Sequence, residues 1–456
     1  MTQPLPIKPI GSDKSGIGKW SIRLLGISVL GNFIISAGTM SESFQFLSTS
    51  YLILIFSTCI ILLKQKSITI TKCSTTTYIW KMILIFGAPL IYLVGLCTGL
   101  IQGYPVKHVL ANFPQIALFP CTYIVGTYLA KVFTLKELCK RVSWFVSVLS
   151  CIVIVKGGYA LITTKVVYNI TAYRQSYSPE LYLLFPVIAA LIYKALLAPQ
   201  DLKVDYMFKS FMGHLARSRL GALALSLIIL ASCNLVMGSK AVLIVTAALM
   251  FIFIVSGVVY LTMEKKKSMW FTTLVLLIAT IIGIYYLRTS QLVDIMKSTL
   301  EYGYGLVSEL FNTTDQSPYG ITENDAYIND PRIESQVTTI QDLSIFGNGL
   351  GASLPIIRSY YKPFLAEHLY LNIIHKFGIF ALPLIMVYLI PLYRSFVLLL
   401  SSKYSSRYYG SILCGLTLPF ITGMYTPIIL GPAFLIAMVL ITFILAKQES
   451  VNQLYI

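Results

Sequence analysis

The chain has 456 residues, of which 56% are hydrophobic and only 12% charged, with a formal net charge of +17. A mean hydropathy of +0.77 excludes a water-soluble globular domain and places the chain among membrane proteins. The basic excess would point to nucleic acid only if it were gathered into one patch; it is scattered over short segments between apolar runs, so no nucleic acid partner is expected.

In lipid the backbone must satisfy its own hydrogen bonds, and long unbroken apolar runs do so as helices. Candidate spans fall near residues 20–40, 45–63, 79–101, 109–130, 142–162, 181–199, 220–238, 241–262, 269–287, 377–394, 409–423 and 427–446. The expected fold is therefore an all-α polytopic membrane protein of about 12 transmembrane helices. The first run follows a Pro-containing polar head and reads as a retained signal anchor.

Lys and Arg set the orientation. With a cytoplasmic N-terminus, 22 basic residues fall inside and nine outside, and every connection alternates as twelve spans require. Both termini are then cytoplasmic. The eight cysteines show neither a disulfide framework nor CxxC metal spacing, and they read as packing residues.

The spans divide the chain into residues 1–287 with spans one to nine, an external loop over 288–367, and 368–456 with the last three spans. The loop holds ten acidic and five basic residues, so isolated arginines stand out in it. Residues 291–310 and 332–343 read as amphipathic helices, the second with Ile333, Val337, Ile340 and Leu343 on its apolar face, laid across the mouth of the bundle as a lid. Glu323, Asp325 and Asp330 match no EF-hand spacing, and no metal is expected. Late in the loop comes "FGNGLGAS", where Gly347, Gly349 and Gly351 let the backbone pass close to a ligand or a neighbouring helix.

Then follows "AEHLYLNIIHKFGIF", charged residues opening an apolar run. One helix from Phe364 to Arg394 would be about 45 Å long against about 30 Å of hydrocarbon. His368 then stands above the membrane, His375 and Lys376 at the interface, and Phe377 begins the span. His368, Asn372 and His375, spaced i, i+4, i+7, share one face. In the first turn the helix macrodipole disfavours an imidazolium, which leaves His368 able to accept a proton. His375 is expected to bond a neighbouring helix.

These features resemble the bacterial O-antigen polymerase and ligase superfamily, with its Wzy-type polymerases and WaaL-type ligases. The resemblance rests on the large external loop between spans nine and ten, "FGNGLG" late in it, a His opening the next helix in "HLYLNIIHKFGI", and Arg332 ahead of the glycines. "AYRQSYSPELYLLF" and "VMGSKAVLI" resemble the family's Arg-containing connection and its Ser-Arg stretch, although Lys240 stands where Arg is usual and Ser178-Pro179-Glu180 replaces Pro-Asn. The resemblance implies a GT-C-like fold in the bacterial inner membrane with the active site facing the periplasm. It also implies a metal-independent glycosyltransferase needing no cofactor.

Its donor would be an undecaprenyl-diphosphate-linked glycan, and its partners membrane lipid and a chain-length regulator. An acceptor hydroxyl must attack an anomeric carbon while a lipid diphosphate leaves, so the site needs a base and cations. His368 is the expected base and Arg332 the expected catalytic cation. Arg174, Lys240 and Arg358, with Asn372, Gly347, Gly349 and Gly351, are the expected substrate-binding residues. The expected activity is polymerisation of lipid-linked repeat units in O-antigen or capsule synthesis; ligation to lipid A-core and transport of lipid-linked sugars are the alternatives.

Overall fold

The computed structural model describes residues 54–63, 74–110, 114–163, 179–198, 202–237, 240–264, 339–352, 369–421 and 432–453. Among them every regular element is helical, as apolar runs of this length require. In chain order these are α1 (Leu54–Leu63), α2 (Thr75–Ile101, with a π turn at Ile83–Gly87), α3 (Val106–Leu110), α4 (Pro114–Val132) and α5 (Leu135–Thr163). Then come α6 (Phe185–Leu196), α7 (Ser210–Leu215), α8 (Arg219–Met237) and α9 (Lys240–Glu264). The last group is α10 (Leu369–Phe377), α11 (Ala381–Leu399), α12 (Tyr404–Ile421) and α13 (Pro432–Gln453).

Among the described residues three helical stretches are long and apolar enough to cross a membrane: Thr75–Ile101, Leu135–Tyr159 and Tyr370–Leu399, the last taking in a short 3-10 turn. This is a helical, membrane-type chain. Shorter apolar helices, among them Ile116–Val132, Leu181–Leu196 and Phe434–Gln448, coincide with further expected spans. The spans expected near 20–40 and 269–287, and the loop helix expected over 291–310, lie outside the described residues.

The core is built around α6. Each of its twelve residues is buried, and a helix apolar on all sides needs neighbours on all sides; α8 and α12 supply them. Gly415 of α12 lies against the backbone of Phe185 and Pro186, where a Cβ would come 2.6 Å from Pro186 Cα. Lys194, inside this core, donates its ammonium to the Leu202 carbonyl. On the other side α13 packs on α4, with Gly126 against Thr442.

A file of rings joins these halves. Phe377 meets Tyr92 edge-on at 5.0 Å, Tyr92 approaches Phe119, Phe119 meets Phe434, and Phe434 meets Phe420 at 5.5 Å and 88°. Edge-to-face geometry sets the positive ring edge on the negative ring face. The file ties α10, α2, α4, α13 and α12 together.

One expectation is corrected at α10. The helix expected to run unbroken to Arg394 is interrupted by a tight turn at Gly378–Phe380, where Gly378 has φ +54°. His375 and Lys376, expected at the membrane interface, are buried within the protein, 0% and 3% exposed. In the loop, 339–341 is helical, and Leu343, expected on its apolar face, lies just past this turn and is 39% exposed.

Candidate functional site

The segment 342–351 is threaded between two helices by its own backbone. Asn348 N donates to the His375 carbonyl at 2.9 Å, Gly349 N to the Lys376 carbonyl at 3.0 Å, and Leu350 N to the Gly95 carbonyl at 2.8 Å. In return Ile379 N donates to the Ile345 carbonyl at 2.8 Å. Loop, α2 and the α10–α11 joint thus form one backbone-bonded unit. The His375 and Lys376 carbonyls are among those freed where α10 ends, which must find donors outside the helix.

Glycine is what permits this approach. Gly349 has φ +81°, and a Cβ there would lie 2.6 Å from Gly99 N and 3.0 Å from Gly99 Cα. Gly347 has φ +80°, and its Cβ would lie 2.6 Å from Gly378 N. Leu350, between them and Gly351, is fully buried and fills the groove left by Gly95 and Gly99. Gly351 lies against Val109 of α3.

A side-chain cluster fastens the same unit. His375 Nε2 lies 2.9 Å from Asp342 Oδ2 and 3.0 Å from Asn348 Nδ2. Asn348 Nδ2 donates to the Asp342 carbonyl at 2.8 Å. His375 Nδ1 is buried with no hydrogen-bond partner among the described residues, so the ring proton belongs on Nε2, donated to the carboxylate. Asp342 itself is 52% exposed at its side chain. Tyr104, just past α2, feels that carboxylate: burial first and then the Asp342 charge raise its phenol above the usual tyrosine range.

Of the residues expected at the site, the structure brings together Gly347, Gly349 and Gly351. Asn372 stands half-buried on α10, one turn before His375 and on the same face. Lys240 is the first residue of α9; its side chain is outside the described part. His368, Arg332, Arg174 and Arg358 lie outside the described residues. His375 does bond across the protein, but to the loop and not to another helix.

The sequence reading did not single out Asp342, Asn348 or the pair Gly95 and Gly99. The glycine pair carries a signal that was available: two small residues four apart in an apolar helix mark a face for close approach. Among the described residues no three His, Cys, Asp or Glu side chains gather to hold a metal ion. No protein-family model matches the chain, and no curated protein matches it.

Proposed function

We propose that the chain is a membrane-embedded glycosyltransferase of the O-antigen polymerase kind, moving an undecaprenyl-diphosphate-linked glycan onto another lipid-linked repeat unit outside the cytoplasm. The observation that carries this reading is the seating of "FGNGLG". Its backbone is bonded to α2 and to the end of α10, so the motif that precedes the His-bearing helix is fixed against it, as a site shared between loop and helix requires. In this reading His368 removes the acceptor proton, and Arg332, Arg174 and Lys240 hold the departing diphosphate.

Twelve spans with a periplasmic loop belong to the same proposal, and the contact pattern supports it. Lys209 N bonds Ser147 at 2.8 Å, and Tyr193 bonds the Tyr404 carbonyl at 3.2 Å; these expected cytoplasmic ends meet one another. Gly157 meets Ser232, and Tyr370 donates to the Phe420 carbonyl at 2.8 Å; these are expected external ends.

The test is His368→Ala beside Arg332→Ala in a host lacking its own polymerase, with surface glycan length and protein abundance measured together. Short glycans at normal abundance are expected, with a rate loss of about 10² to 10⁴ for the base. Normal ladders from both variants would remove the assignment. Purified protein given undecaprenyl-linked repeats alone separates polymerase from ligase, because only a polymerase lengthens them.

A further inference from the structure

Away from the glycine clamp, α4, α5, α6, α12 and α13 enclose an apolar cavity of about 130 Å³. Its wall on α13 is a stripe, Ile436, Val439, Leu440, Phe443 and Ile444, the spacing of one helix face. The stripe runs over nine residues, eight steps of 1.5 Å or about 12 Å, so the cavity is a slot running along the bundle. On α5 the facing wall is Leu135, Leu138, Val142 and Phe145. A sugar or a peptide in such a slot would leave its polar groups without partners, at a cost of about 2 to 7 kcal/mol each. A hydrocarbon chain would not.

Cations mark the far end of the slot. The α13 stripe continues in register to Lys447, three residues beyond Ile444. Arg141, three residues after Leu138 and four before Phe145, lies along the edge of the α5 wall. Its guanidinium stacks on the Phe133 ring at 4.6 Å, and its Nε is buried with no hydrogen-bond partner among the described residues. Lys131, Lys136 and Lys140 flank them. The Glu137 carboxylate lies within electrostatic reach of both Arg141 and Lys447. It is engaged at the start of α5, accepting from Thr134 N at 2.9 Å and from Thr134 Oγ1 at 3.0 Å, as in a capping box. Five cations against two carboxylates, Glu137 and Glu449, leave this end net positive.

We propose that the slot and its cationic rim bind one anionic glycerophospholipid, an acyl chain lying along Ile436 to Ile444 and the phosphate held by Arg141 and Lys447. Apolar enclosure selects the chain, and the rim selects a headgroup without a compensating ammonium. The site is independent of the proposed sugar transfer and stands even if that proposal fails.

The test uses the full chain in neutral detergent, with phosphatidylglycerol, phosphatidylcholine or glycerol phosphate added, read by native mass spectrometry and thermal unfolding. Phosphatidylglycerol is expected to stay bound and to raise the unfolding temperature, phosphatidylcholine to do so more weakly, and glycerol phosphate not at all. Arg141→Gln with Lys447→Gln is expected to weaken phosphatidylglycerol about fivefold for each cation removed, leaving phosphatidylcholine unchanged. Equal retention of the two lipids overturns the proposal, as does stabilisation by glycerol phosphate alone, which would make this a free-phosphate site. A dimer that forms without lipid and blocks its uptake would give the slot to a second copy. If the double variant is not monodisperse, the unaltered protein still decides: phosphatidylglycerol affinity must fall between about 0.1 and 1 M salt, as the screening length shrinks from about 10 to 3 Å, and a salt-independent affinity overturns the rim.

Discussion

Asp342 Oδ2 lies 2.9 Å from His375 Nε2, joining a half-exposed loop carboxylate to a fully buried imidazole 33 residues away. The contact answers the puzzle of a titratable ring inside an apolar helix. A buried polar group is tolerable only when bonded, and here its partner comes from the segment ahead of the glycine clamp. The loop is therefore part of the fold at this point.

A double-mutant cycle on this pair should give unequal single effects. His375→Ala removes a buried side chain and its bond and is expected to cost about 1 to 3 kcal/mol. Asp342→Ala opens the half-exposed side of the contact to water, which can accept from Nε2–H in place of the carboxylate, and should cost less, about 0.5 to 1.5 kcal/mol for one ordinary hydrogen bond. Unfolding in detergent measures both. A larger loss from Asp342→Ala than from His375→Ala would contradict this account.

The glycines of the clamp separate conformational strain from crowding. Gly349→Ala suffers both: the left-handed backbone costs about 1 to 2 kcal/mol, and forcing a methyl onto Gly99 costs about 1 to 3 more. Gly103, at φ +75° and with nothing within 4 Å of the place a methyl would take, should lose only the first part on change to Ala. Thermal unfolding or folded yield should therefore rank Gly349→Ala well below Gly103→Ala. Equal losses would mean that the clamp is not tightly packed.

How much of this was legible follows from the range of each interaction. Spans such as Thr75–Ile101 were readable because lipid demands a continuous apolar run, which is a local property. Close backbone approach at Gly347 and Gly349 was readable as a type of event, though its partner was not, because Gly95 and Gly99 lie some 250 positions earlier. The break at Gly378 and the burial of His375 and Lys376 were not readable. They depend on a loop whose carboxylate and carbonyls satisfy the joint, and no helical period encodes that.

Lys240 offers a sharper test of the proposed chemistry than the histidine, because its substitution distinguishes charge from geometry. On the proposed reaction, Lys240→Gln removes a charge-assisted contact of about 1.5 to 3 kcal/mol, a rate loss of roughly 10- to 100-fold. Lys240→Arg keeps the cation and adds a bidentate fork, so activity should be retained. Glycan chain length at matched abundance reads the result. Normal activity in Lys240→Gln would leave Lys240 outside the site.

Trp80 and Pro391 form a relationship that can be tested without any assay of function. Pro391 lies inside α11 and has no N–H, so the carbonyl four residues earlier, that of Val387, loses its helical donor. The indole of Trp80, itself fully buried, donates to that carbonyl at 2.9 Å and replaces it. Trp80→Phe should therefore cost about 1 to 3 kcal/mol by orphaning a buried acceptor, beyond any loss of packing. With Pro391→Ala present, the new amide can bond Val387 from within the helix, and the same Trp80→Phe change should cost less. The coupling energy from thermal unfolding of the four proteins isolates the hydrogen bond; a value near zero would show that Trp80 serves α11 through packing alone.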